Sequence, residues 1–305
     1  MTSPTQEERY YRTMKIAIAT DTNSGITAME GEKLGVFVLA MPVNLEETIH
    51  YEGIDITSEQ LYDAMREHRD VFTSQPSPGQ LMELWDGILA KGYDEIVYIP
   101  MSSGLSGSCQ SAALFAQDYD GKVQVVDNHR ISVTQRESVV SALRLAEQGH
   151  DARQIKDFLE KHAYDASIYI TVDSMEYLKK GGRVTPAAAT LATVLNLKPV
   201  LTIQGDKLDA FAKVRGMKLA ESKMIEAIHH DREARFKDIP ESRLLIETAG
   251  TLENSELAEH WRQQVQAEFP FAKVSYANLP CSIACHVGMN SVAAVIMTEE
   301  VQRAD

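Results

Sequence analysis

A chain of 305 residues, 44% hydrophobic and 24% charged, is long enough for two domains, or one large one, with a substantial core. Its formal net charge of −14 argues against a general nucleic-acid surface, and no apolar run reaches the roughly 18 residues of a membrane span. Three cysteines, Cys109, Cys281 and Cys285, make no disulfide framework and read as free thiols.

Residues 1 to 13 are polar, lack the apolar core of a signal peptide and read as a loose leader, so a cytoplasmic setting is expected. Lys15 to Thr20 (KIAIAT) reads as a strand ending in a polar turn, Asp21 to Gly25, where Asp21 can organise the loop by accepting backbone amides. Leu34 to Val43 is an apolar run expected to form one buried strand, and Asn44 to Gly53 a hairpin-like excursion. Thr57 with Gln60 fits a capping box, opening a helix from about Ser58 to Arg66. Val71 to Gly79 (VFTSQPSPG) carries two prolines that exclude a central strand, and hydroxyls at Thr73, Ser74 and Ser77. It is either a rigid connector or a site; Pro78 can start the helix that follows.

Glu95 to Pro100 (EIVYIP) reads as a buried parallel strand, and Gln110 to Gln117 as a helix. Between them Met101 to Ser111 (MSSGLSGSCQS) places hydroxyls and glycines at a strand's carboxyl end, where open α/β sheets bind ligands. Ser102, Ser103, Ser106 and Ser108 are neutral donors, Gly104 and Gly107 permit close approach, and the stretch holds no Lys or Arg. That composition suits a small anion held by hydrogen bonds, a carboxylate better than a triphosphate. The alternative is a solvated βα turn.

Lys122 to Val126 is a strand, and Ile131 to Glu147 and Ala152 to His162 are helices, giving an α/β unit with a mainly parallel sheet up to a boundary near residue 165. Beyond it, Ser167 to Val172 is a strand and Ser174 to Lys180 a short helix closed by Gly181-Gly182, with Arg183 just after. Thr185-Pro186 opens a small apolar helix, Ala187 to Leu197. Lys198 to Ile203 and Leu208 to Val214 read as a hairpin that Arg215-Gly216 ends, followed by a helix from Met217 to Arg232. Leu244 to Glu247, Lys273 to Ala277 and Ser291 to Met297 are strands, and Ser255 to Glu268 is a helix. The expected fold class is therefore α/β in two domains: residues 14 to 164 around a parallel sheet, 165 to 305 with a mixed, more antiparallel one.

No dinucleotide or P-loop glycine motif and no H-E-x-x-H is present. Gly104 to Ser108 misses the nucleophile elbow at its last position, so a serine hydrolase acting on acyl substrates through Ser106 and His286 is the alternative function. Cys281, Cys285 and His286 resemble half of a metal site without a second ligand pair. His286 itself reads either as a core histidine bonded to backbone or as a donor to the anion of the serine loop. Arg183 and Arg215 each end an element beside glycine and serve either solubility or an acidic or phosphate-bearing partner.

Taken together, KIAIATDTNSGI, YEGIDIT, TSQPSPG, SSGLSGS, YLKKGGRV, KPVLTI with GDKL, KVRG and CHVG resemble the DegV family of bacterial lipid-binding proteins, in family order over about residues 14 to 298. The turn after His286, Val287-Gly288-Met289-Asn290, departs from the family's HVGPG-like form. The resemblance implies a two-domain protein without catalysis of its own that buries one long-chain fatty acid, palmitate- or oleate-like, between its domains. The carboxylate would meet Thr73, Ser74, Ser103, Ser106 and Gly107, with His286 nearby. Some members present the acid to a fatty acid kinase that forms the acyl phosphate; Arg183 and Arg215 would face that kinase and the nascent phosphate. The resemblance further implies a monomer without membrane insertion, with no metal and no cofactor other than the bound acid. Burying a saturated C16 chain supplies roughly 11 kcal/mol gross at about 0.8 kcal/mol per methylene, which requires an enclosed apolar tunnel.

Overall fold

The computed structural model describes residues 14–190 and 197–302. The first half runs β1 (Ile16–Asp21), α1 (Ala28–Leu34), β2 (Val36–Leu39), β3 (Pro42–Leu45), β4 (Thr48–Tyr51), α2 (Ser58–Arg66), β5 (Val71–Thr73), α3 (Pro78–Ala90), β6 (Glu95–Ile99), α4 (Ser108–Phe115), β7 (Val123–Val125), α5 (Val133–Glu147) and α6 (Ala152–Lys161). The helix starts are written locally. Thr57 with Gln60, Ser77 with Gln80 and Asp151 with Gln154 form complete capping boxes on α2, α3 and α6.

Strands β2, β1, β6 and β7 form one parallel sheet in that order. Alternation along its strands sends side chains to two covered faces. Ala17, Ala19, Ile96 and Tyr98 meet Trp85 and Ile88 of α3, while Ile18, Val97 and Ile99 meet Val139, Ile155 and Leu159 of α5 and α6. From β1 the chain proceeds first to β2 on one side and later to β6 on the other. The loops after β1 and β6 therefore flank the sheet's topological switch point, where such sheets open a crevice.

The apolar run Leu34 to Val43 is not one strand. Leu34 closes α1, Gly35 caps it at φ +73°, and Val36–Leu39 joins the parallel sheet. Pro42 then starts a different, antiparallel sheet of three strands in the order β4-β3-β5. Two short strands joined by two residues read as one long strand when all are apolar; Pro42, which donates no ladder hydrogen bond, is the local mark of the break.

The second half runs β8 (Ala166–Thr171), α7 (Glu176–Gly181), α8 (Pro186–Ala189), β9 (Leu197–Ile203), β10 (Asp209–Arg215), α9 (Met217–Ala234), β11 (Leu244–Gly250), α10 (Ser255–Glu268), β12 (Ser275–Asn278), α11 (Cys281–Val287) and β13 (Val292–Thr298). Thr185 caps α8 as expected, but most of the anticipated helix to Leu197 lies outside the described residues, as does the leader. Six strands form a mixed sheet in the order β10-β9-β8-β13-β11-β12, antiparallel except between β11 and β12. Its alternation again separates two faces. Tyr169, Val200, Ala294 and Ile296 pack under Met224 and Ile228 of α9 and Trp261 of α10. Ile168, Ile170, Leu201, Ile203, Ala293 and Val295 belong to the opposite face, in a cluster that includes Leu105, Ile131 and Val133 of the first half. That second face is the floor of the site.

Candidate functional site

A largely apolar cavity lies over that face. Most of its wall is buried and apolar, with Ile168, Ile170, Leu178, Leu208, Ile283 and Val295 among the lining residues. Thr73, Ser74, Gln75, Ser106, Arg183 and His286 bring polar groups to it. Ser74 and Gln75 are exposed, whereas Thr73, Ser106 and Arg183 are half-buried, so these five lie toward the solvent side of the cavity.

Each of these side chains is placed by a specific local device. Thr73 ends β5, an edge strand paired with Val43, and its hydroxyl lies 2.8 Å from His286 Nε2. His286 sits on α11, whose Cys281, Ala284 and Cys285 pack against Val43, Leu61 and Met65. The ring leaves no room for a side chain at Gly181, where a Cβ would fall 2.3 Å from Nδ1. Nδ1 is buried without a hydrogen-bond partner. Burial, and secondly the charge of Arg183, pull the imidazole down to about 4. It is therefore neutral at pH 7, and among the described residues its one hydrogen bond is with Thr73. With the ring proton on Nε2, His286 donates to Thr73, which leaves the threonine's own proton free for another acceptor.

Ser106 belongs to the turn after β6. Its backbone N–H donates to Ser102 O at 3.2 Å, and its hydroxyl oxygen accepts from Ser108 N at 3.2 Å, leaving its proton to point elsewhere. This turn is pinned from three sides. Asp21 accepts from Asn23 N, from Gln135 Nε2 and, at 3.1 Å, from Met101 N, so one buried carboxylate ties the loops after β1 and β6 to α5. Burial pushes that carboxyl up while these bonds pull it down. Ser102 donates to Gly205 O, and Gly104 lies so close to the β9–β10 turn that a Cβ would fall 2.7 Å from Asp206 Cα. Asp127 Oδ1 accepts from Ser103 N at 3.2 Å.

The two arginines part in space. Arg183 lines the cavity, its Nε donating to Leu105 O at 3.1 Å and its Nη1 to Gly181 O. A cation thus stands beside the neutral donors, which the arginine-free serine loop did not announce. Arg215 is not brought to it. Val184 bridges Leu208 before β10 begins, and Arg215 is exposed at the other end of that strand, roughly 20 Å on at about 3.3 Å per residue. Ser103 and Gly107 stand in the loop but are not among the residues lining the cavity; Gly107 instead abuts Gln75.

Asn23, Ser132 and Ser282 also line the cavity and had no assigned role beyond the polar turn after β1. The Ser282 hydroxyl lies 2.8 Å from both Asn23 Oδ1 and Glu52 Oε2. Ser282, Ile283, His286 and Val287 share one helical face. That spacing, bracketed by Pro280 and Gly288, was the available sign that CSIACHVG is a helix.

The hydrolase alternative needs a base on Ser106. His286 instead bonds Thr73, and with no partner on Nδ1 it lacks the orienting group such a base requires. Cys281 and Cys285 are packed thiols, and burial pushes Cys281 up to about 12. Among the described residues no group of three His, Cys, Asp or Glu is placed to hold a metal ion, and no helix is long and apolar enough to cross a membrane.

Residues 15–299 match the family described as "Uncharacterised protein, DegV family". A DegV domain-containing protein of Streptococcus pneumoniae is 30% identical over 283 residues, covering 92% of this chain and 98% of that one. A fatty-acid-binding DegV family protein from Thermus thermophilus has a similar structure, with TM-score 0.83, 30% identity, and coverage of 93% of this chain and 100% of the other. DegV of Bacillus subtilis, described as a fatty acid binding protein, gives TM-score 0.81 and 25% identity, covering 93% of this chain and 99% of that one. The α/β architecture, with a parallel first sheet and a mixed second one, is theirs as well, and this chain belongs to the DegV family.

Proposed function

We propose that this protein binds one long-chain fatty acid in the cavity and presents its carboxyl group to a partner fatty acid kinase, without turning the acid over itself. The observation that carries this reading is the lining of the cavity: a largely apolar, buried wall, with half-buried polar groups from Thr73, Ser106 and Arg183 beside the buried Asn23, Ser132 and Ser282. The alkyl chain lies over Ile168, Ile170 and Val295, and each buried methylene contributes about 0.8 kcal/mol. The carboxylate, which loses water on entry, takes hydrogen bonds from Thr73 and Ser106, with Ser74 at the rim. Arg183 balances its charge, because a desolvated anion without compensation is costly. His286 acts behind Thr73 as a neutral donor. The descriptions of the Thermus and Bacillus relatives as fatty-acid-binding support the ligand class. We further propose that the chain divides into two domains near residue 165, with the acid held between them.

Presentation to a kinase is supported by the polar end lying beside exposed Ser74 and Gln75, so that a bound carboxylate is within reach from outside. The test is a titration of lipid-free protein with palmitate and oleate, followed by addition of a fatty acid kinase and ATP. One acid bound per chain, and acyl phosphate formed only when both proteins are present, is the expected result. Stoichiometric labelling of Ser106 by a fluorophosphonate, with hydrolysis of an acyl ester, would replace the carrier with the hydrolase.

A further inference from the structure

We propose that Glu52 is a positioning residue for the polar end of the cavity: its carboxylate fixes the first turn of α11 and so holds the His286 ring against Thr73. The inference rests on the reading of that end as the carboxylate site.

Glu52 follows β4 and is only 9% exposed. Its Oε1 accepts from Cys281 N. Its Oε2 accepts from Thr22 Oγ1 at 2.9 Å, from Ser282 Oγ at 2.8 Å and from Ser282 N at 3.4 Å. Every one of these donors is neutral. Burial pushes the carboxyl up, and the four hydrogen bonds oppose that shift. A buried acid without a cation is a poor way to gain stability, since an apolar side chain packs there at lower cost. What the carboxylate does provide is direction: it joins the loop after β1, the end of β4 and the start of α11 at one point.

The Ser282 hydroxyl also reaches Asn23 Oδ1 at 2.8 Å and the Cys281 thiol lies 3.8 Å from Ser58 Oγ, but among the described residues only the Glu52 side chain accepts from the first backbone amides of the helix. Pro280, the residue before the helix, makes no side-chain cap. The helix is only seven residues long, about 10 Å at 1.5 Å per residue, so a displacement of its first turn reaches His286 undiminished. Among the described residues His286 has no second hydrogen-bonded tether of its own. Nδ1 is unpartnered, the ring rests against Gly181, and Thr73 is its one hydrogen bond. The ring's place is therefore set by the helix, and Glu52 fixes the helix's first two backbone amides.

The test uses the full-length, lipid-free chain and its Glu52→Gln variant. The histidine rings are followed by long-range ¹H–¹⁵N NMR, with His286 assigned through His286→Gln, and palmitate affinity is measured on the same samples. A glutamine offers one acceptor oxygen where the carboxylate uses two. The expected result is a folded protein whose His286 loses its single-tautomer signature and whose palmitate affinity falls about tenfold. An unchanged His286 signature in folded Glu52→Gln overturns the proposal. A changed signature with wild-type affinity keeps Glu52 as the anchor and removes His286 from the carboxylate site instead. Should Glu52→Gln fail to fold, Ser282→Ala takes its place: loss of the signature, restored in Ser282→Thr, supports the proposal, and retention in Ser282→Ala overturns it.

Discussion

The neutral imidazole of His286 makes a quantitative claim about stability and pH. Burial and Arg183 bring it from 6.5 to about 4 in the folded protein. Between those values the unfolded chain carries a proton that the native chain does not. Because the folded value is the lower one, the stabilising contribution is complete above pH 6.5 and is lost as pH falls toward 4. From pH 7.5 to pH 5 the loss is about 2 kcal/mol, at about 1.36 kcal/mol per pH unit. Asp21, Glu52 and Glu300 are raised by burial and contribute slopes of the opposite sign, so the wild-type curve alone does not isolate the effect. The reference is His286→Gln, which keeps a donor for Thr73 and never charges. Urea unfolding of the lipid-free proteins at both pH values gives the two stability gaps. We expect wild type to lose about 2 kcal/mol relative to His286→Gln on going from pH 7.5 to pH 5. A gap that stays constant refutes the buried, neutral imidazole and the donor chain built on it.

Ser106→Ala is expected to weaken palmitate binding by about 1–3 kcal/mol in a calorimetric titration; unchanged affinity removes Ser106 as a carboxylate donor. Arg183→Gln should cost more than Ser106→Ala in the same titration, because it takes away charge as well as a hydrogen bond; wild-type affinity would remove Arg183 as the counter-charge of the carboxylate. Arg130 and Glu300 form an ion pair with side chains only 2% and 1% exposed, and Arg130 O accepts from Ser102 N at 2.8 Å beside the serine loop. Glu300→Ala should therefore destabilise the protein by about 3–5 kcal/mol in urea, and a loss below about 1 kcal/mol would contradict the burial of that pair.

Much of this arrangement is legible in the chain, and the exceptions have physical causes. The parallel sheet, the capping boxes at Thr57 and Ser77, the β9–β10 hairpin and the Asp21 anchor all depend on contacts among near neighbours or on period-two apolar runs. Thr73, Ser106 and His286 stood out as chemistry-bearing residues, but only the fold joins Thr73 to His286, 213 residues apart. An arginine after two glycines gives no sign of direction, and the bridge between Val184 and Leu208 helps place the stretch that carries Arg183 at the cavity. Arg215 carries the same local signature and ends up at the far end of β10. Glu52 was invisible for a different reason. A glutamate beside glycine in a polar stretch looks solvated, and its donors at Thr22, Cys281 and Ser282 are distant in sequence.

The most direct test of the central claim is mass spectrometry of an organic extract from the purified, denatured protein. The account predicts one long-chain fatty acid in stoichiometric amount, displaced when palmitate is added in excess and reduced in Ser106→Ala. A protein that carries no lipid and takes up neither palmitate nor oleate would contradict it.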